Sequence, residues 1–203
     1  MNRNILAALV LVGLLTTSVS ATPMTFVGSL SGAKEEPANA STGTGSATVT
    51  IDPDTHQMTV DVTFSGLSSN NTAAHIHVIN GPGDTNTADT LGPVATSTPT
   101  FIGFPSTTTS GTFHAVYDMT QTANYRGGFI TDAGGTTAAA EAALFSGITS
   151  GRAYLNIHTV NFGGGEIRSF LTPVPEPSTF VLGGLGLLGT LAWRRRSRRS
   201  LPR

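Results

Sequence analysis

The chain of 203 residues contains no cysteine, one tryptophan and only 11% charged residues. Without cysteine there is no disulfide and no thiolate-ligated metal. This does not assign a cytosolic address, because a domain with a large enough core needs no cross-links. The shortage of charge is also unevenly spread. Six of the eleven Lys and Arg residues lie after Trp193, and between Thr22 and Val174 four bases face eleven acids, a net charge of −7. Such a domain has no basic surface for nucleic acid and tolerates cations better than anions. Also missing are a GxSxG nucleophile elbow and a glycine-rich phosphate loop after a strand. Glu35 and Glu36 precede Pro37 in a loop and read as solvated rather than as a glycosidase pair. The expectation is a protein that is not an enzyme.

What is present begins at the two ends. Residues 1–21 read MNRNILAALVLVGLLTTSVSA: Arg3 is followed by an apolar run from Ile5 to Leu15, then by Val19 and Ala21 at small-residue cleavage positions. That order is a secretory signal peptide. Residues 174–203 contain VPEPST, an apolar stretch from Phe180 to Trp193 broken only by Thr190, and an arginine cluster over 194–203. As a helix the apolar stretch spans about 21 Å, short of a hydrocarbon core of roughly 30 Å. The arginines hold its end in the cytoplasm, which puts residues 22–173 outside.

This tail resembles the PEP-CTERM sorting signal of Gram-negative bacteria. The resemblance implies that an exosortase recognises Pro175, Glu176 and Pro177. The tail helix would insert in the membrane transiently, and the domain would then be released or attached at the surface. The export machinery and the exosortase are the implied partners.

Between the ends, short segments alternate with period two. SATVTID places Ala47, Val49 and Ile51 on one face, and MTVDVTFSG places Val60, Val62 and Phe64 likewise. DPDTHQ between them is a turn, with Pro53 fixing φ and Asp52 and Asp54 bonding nearby backbone. With MTFVGSL, AAHIHVI, GTFHAVYDM, AYLNIHTV and GEIRSFLT this makes about seven strands. The expected fold is all-β, an antiparallel β-sandwich with one short helix, TTAAAEAALFSG, ended by Gly147. Asn80 to Pro99 is a long Gly/Pro/Thr loop.

The blocks LSGAKEEP, AHIH, YLNIHT and GEIR, in that order between Phe26 and Leu171, look like a CHRD domain. This module, first recognised in chordin, occurs in many bacterial secreted proteins. Ser169 stands where the family usually has Gly. The resemblance implies an extracytoplasmic β-rich module with no established reaction. An adhesive or structural role follows as an expectation, with an exopolysaccharide or other surface polymer as partner.

The histidines offer a second reading. His75 and His77 are i and i+2 in a strand, so they face one way with Cα atoms about 6.6 Å apart, while Ala74, Ile76 and Val78 face the core. If their strand pairs with that of His158, a third nitrogen joins them, and His114 is a further ligand candidate. A thiolate-free imidazole set suits Cu or Zn. Glu166 is an obvious acceptor for a histidine, and Arg168 shares its face as an ion-pair partner. The HIH pair is similar to copper ligands of Cu/Zn superoxide dismutases. With five histidines and no Cys, dismutase activity is not expected. His56, in a turn, reads as solvated.

Overall fold

The computed structural model describes residues 22–86 and 90–174. The signal segment 1–21 and the tail from Pro175 onward, with its sorting motif, apolar stretch and arginine cluster, lie outside the described residues. Among the described residues no helix is long and apolar enough to cross a membrane.

All seven expected strands form: β1 (Met24–Ser31), β2 (Thr44–Asp52), β3 (Gln57–Ser65), β4 (Asn71–Val78), β5 (Gly111–Asp118), β6 (Ala153–Thr159) and β7 (Ile167–Phe170). The last expected segment continues past Leu171 into a two-residue strand, β8 (Thr172–Pro173), which pairs with β1. They make one antiparallel sheet in the order β4-β6-β7-β1-β2-β3-β5. The sheet curls on itself, so its two ends face each other like sandwich layers. One apolar cluster joins Ile76 of β4 to Val60 of β3 and Tyr117 of β5.

Alternation decides which side chains enter that cluster. Ala47, Val49 and Ile51 of β2 and Met58, Val60, Val62 and Phe64 of β3 are all buried, with Thr48, Thr50, Asp61 and Thr63 between them on the outer face. Each fully buried Val or Ile side chain contributes roughly 1.5–3 kcal/mol. The β2–β3 turn has the expected chemistry, since Asp52 Oδ1 accepts from the backbone N–H groups of Asp54 and Thr55 at 3.0 and 3.3 Å. His56 is exposed, as its place in a turn suggested, but it also makes a contact. It sits in the left-handed region at φ 56°, and its Nδ1 reaches the buried Glu141 carboxylate at 2.9 Å.

Two helices cap one opening of the curl, α1 (Gly127–Asp132) and α2 (Thr137–Thr149). The second is the expected helix, with Thr136 capping it by accepting from the Ala139 N–H at 3.2 Å. It does not end at Gly147. A Cβ there would lie 2.5 Å from Val78 Cγ1, so this glycine lets helix and strand touch, and the chain turns instead at Gly151, φ 71°. The outer edge of β4 is not left open. Residues 93–101 run along it: Val78 N–H donates to Pro93 O, Ala95 N–H to Ile76 O and Phe101 N–H to Ala74 O, at 2.9–3.1 Å. Covering an edge in this way removes a row of unpaired backbone groups and lays part of the long loop beside His75 and His77.

Candidate metal centre

On β4, Ala74, Ile76 and Val78 point into the core, and His75 and His77 project from the opposite face. The neighbour of β4 is β6. His75 lies across from Asn156, His77 across from Tyr154 and Ala73 across from His158. The pairing that would bring a third imidazole to the first two is therefore the one that forms. The ligand atoms of His75, His77 and His158 lie within 4.8 Å of one another.

The second nitrogen of each ring explains how they are held. His75 Nδ1 lies 3.2 Å from Pro99 O, His77 Nδ1 2.8 Å from Gly92 O and His158 Nδ1 3.0 Å from Gly163 O. A carbonyl oxygen only accepts, so each Nδ1 carries the proton and donates. Each Nε2 is then a bare lone pair, and all three turn toward one place. Backbone carbonyls on the far nitrogen are the usual outer support of metal-ligating histidines, fixing tautomer and ring orientation.

The arrangement is costly without a cation. His75 Nε2 and His158 Nε2 stand 3.0 Å apart, two lone pairs face to face. His77 Nε2 is buried without a hydrogen-bond partner. Protonation is not an easy relief. Burial, together with the neighbouring imidazoles, pushes His75 down to about 3. Burial pushes His77 down to about 4 and also lowers His158. With metal–nitrogen bonds near 2.0–2.1 Å, two tetrahedral ligand nitrogens lie about 3.4 Å apart, against 3.0 Å between His75 and His158 and a bound of 4.8 Å for the three together. Three neutral imidazoles with no thiolate and no carboxylate are a donor set for Cu or Zn.

A buried polar layer surrounds the three rings. Tyr154 stacks on His77, centroids 4.7 Å apart and planes 6° from parallel. The Arg168 guanidinium lies over the Tyr154 ring, 4.8 Å from its centroid. Arg168 also donates to the backbone oxygens of Lys34 and Thr90, and approaches the Glu35 carboxylate at 3.9 Å. Asn156 Nδ2 donates to both Glu35 oxygens at 3.1 Å. Burial pushes Glu35 up to about 7, against the opposing pull of Arg168 and Asn156.

Two of the residues named from sequence sit elsewhere. His114 is on β5, and its Nδ1 meets Asp61 Oδ1 at 2.7 Å on the exposed outer face, away from the three clustered imidazoles. Glu166 accepts from no histidine and does not pair with Arg168. It accepts from Ser41 Oγ and Thr159 Oγ1 at 2.6 Å, and from Ser68 N and Oγ at 2.7 and 3.0 Å. Burial pushes its pKa up, but these hydrogen bonds outweigh it and hold the carboxyl below its ordinary value. Arg168 pairs with Glu35 instead. Glu35, read from sequence as solvated, is buried, and its only foreshadowing was its place in the LSGAKEEP block.

Fold and site together define a β-rich domain with a buried histidine cluster beneath its loops. The CHRD domain family matches residues 26–171, and the chain belongs to that family. The PEP-CTERM protein-sorting motif matches residues 173–196, which marks an exported protein targeted to an exosortase. No curated protein and no solved structure matches the chain.

Proposed function

We propose that this exported domain is a metal-binding module of the cell surface that holds one Cu or Zn ion on His75, His77 and His158. The observation that carries the reading is the convergence of three Nε2 lone pairs whose Nδ1 protons are all committed to backbone carbonyls. The ion would neutralise the lone-pair contact between His75 and His158 and give His77 Nε2 its missing partner. No reaction is required of the domain. Elemental analysis after incubation with Cu or Zn and exhaustive dialysis tests it: one ion per chain in the wild type and none in His75→Ala is the expected result. Absence of bound metal with both ions ends the reading.

A second activity has its own support at the other end of the sheet. The outer face of β2, β3 and β5 is open and hydroxyl-rich. A shallow depression there is lined by Thr44, Ser46, Thr63, Ser65, Ser110 and Thr112. Hydroxyls in such an array suit an exopolysaccharide or another surface polymer, the role expected of an adhesive module. Exosortase processing, whether it ends in release or in attachment, has its own test: Pro175→Ala with Glu176→Ala should retain the tail, raising the mass of the mature protein and holding it in the membrane fraction. Unchanged mass and location would count against exosortase processing.

A further inference from the structure

Beside the three imidazoles lies one acceptor without a donor. Asn156 is on β6, directly across from His75 and two residues before His158, on the face that carries all three rings. Its side chain is buried, the residue being 3% exposed. Its Nδ2 donates to the Glu35 carboxylate, and above pH 7, where Glu35 is ionised, this fixes the sense of the amide, since an ionised carboxylate only accepts. The other end, Oδ1, is buried and has no hydrogen-bond partner. Buried amide oxygens in native proteins are nearly always satisfied by protein or by ordered water.

The residues around it offer no donor. The Nε2 atoms of the neighbouring histidines are bare acceptors, because their protons sit on Nδ1. Glu35 is engaged at Nδ2. Arg168 is committed to Lys34 O, Thr90 O and Glu35. No described group donates to Oδ1, so a donor from outside the chain would satisfy it, and the neighbouring group that lacks one of its partners is the metal position. Three protein ligands plus one exchangeable position is the arrangement of metal sites that stay open.

We infer that the ion held by His75, His77 and His158 keeps a fourth coordination position for a small protic ligand, water or hydroxide, whose O–H donates to Asn156 Oδ1. This rests on the metal reading above. Asn156 itself is positioned by Glu35, which Arg168 holds in turn. The acceptor selects by chemistry. A ligand that carries a hydrogen satisfies Oδ1, whereas a bare anion such as azide meets its lone pairs and is disfavoured.

The experiment uses the full chain loaded with Cu(II), or with Co(II) in the place of Zn if copper is not taken up, and the metal content is measured first. Water-proton relaxation then reports an exchangeable water on the ion, and azide is titrated against it. The expected result is a relaxation enhancement that azide removes. In Asn156→Ala, with azide binding read per bound ion, azide should bind about five-fold tighter, the effect of one hydrogen bond. A loaded wild-type protein with no exchangeable water, as when the chain itself closes the fourth position, overturns the inference while leaving the metal reading intact. So does equal azide affinity in the two proteins. A chain that takes up neither ion fails the metal reading, and the open position falls with it. The relaxation measurement needs only the wild type, so the test does not depend on the folding of the variant.

Discussion

The two ends of the curled sheet use the same alternation and arrive at opposite surfaces. At the β2–β3–β5 end, the outward residues Thr63, Thr112 and His114 stand in water. At the β4–β6–β7 end, the outward residues His75, Tyr154, Asn156 and Arg168 are buried nearly as deeply as the core. What differs is the cover. Loop oxygens of Lys34, Thr90, Gly92, Pro99 and Gly163 reach down onto the second face, and nothing comparable lies on the first among the described residues. The strand pattern decides which polar groups leave the core. Chain arriving from far along the sequence decides whether they become surface or site.

The largest effect should separate the ends outright. His75→Ala is expected to remove Cu or Zn binding, by well over the roughly 10–100-fold that loss of an outer partner produces, as read by competition with a chelator. His114→Ala at the open end should leave the metal content unchanged. Next comes stability. Glu166→Ala removes the acceptor of the buried Thr159 hydroxyl and of the half-buried Ser41 and exposed Ser68, and should lower the unfolding free energy by about 2 kcal/mol, measured from the shift of the urea midpoint. A loss under about 0.5 kcal/mol would mean that these loops are not held by Glu166.

A smaller, pH-dependent effect belongs to the covered end alone. The three histidines titrate near 6.5 when unfolded, and in the fold burial holds His75 down at about 3 and His77 at about 4, with His158 also lowered. The unfolded chain therefore binds more protons as the medium is acidified. The metal-free protein should lose stability as pH falls from 6.5 toward 3, at up to about 1.4 kcal/mol per pH unit for each proton. Glu35 acts in the other direction. Raised from 4.5 to about 7, it contributes most below pH 4.5, and that contribution is lost as pH rises to 7. Glu35→Gln removes this opposing slope, so the acid loss between pH 6.5 and 4.5 should steepen. Metal-free protein equally stable at pH 7 and pH 5 would contradict the assignment. The smallest effect is at the open end. His114→Ala breaks an exposed pair with Asp61 and should change stability by less than about 1 kcal/mol.

The strands were readable because period-two alternation is a local property. Ala47, Val49 and Ile51 announce an inner face in seven residues. The shared side of His75 and His77 follows from the same rule, and His158 needed only the pairing of β4 with β6. Glu35, Asn156 and Glu166 were not readable in this way. Their environments are made by residues distant in the chain, so a carboxylate before a proline looked solvated although Arg168 and Asn156 enclose it. Gly147 misled for a related reason: within a helix a glycine reads as a stop, and only the approach of Val78 explains why it is there.

Two of the three carbonyls that orient the imidazoles, those of Gly92 and Pro99, come from the segment between β4 and β5, the third, of Gly163, comes after β6, and the ligands themselves come from two strands separated by the whole β5 and helical region. No contiguous piece of the polypeptide carries the binding geometry. An ion can be captured only after the domain has closed, late in folding; for a chain that crosses the membrane unfolded, the composition of the medium, rather than that of the cytoplasm, would then decide what the protein carries.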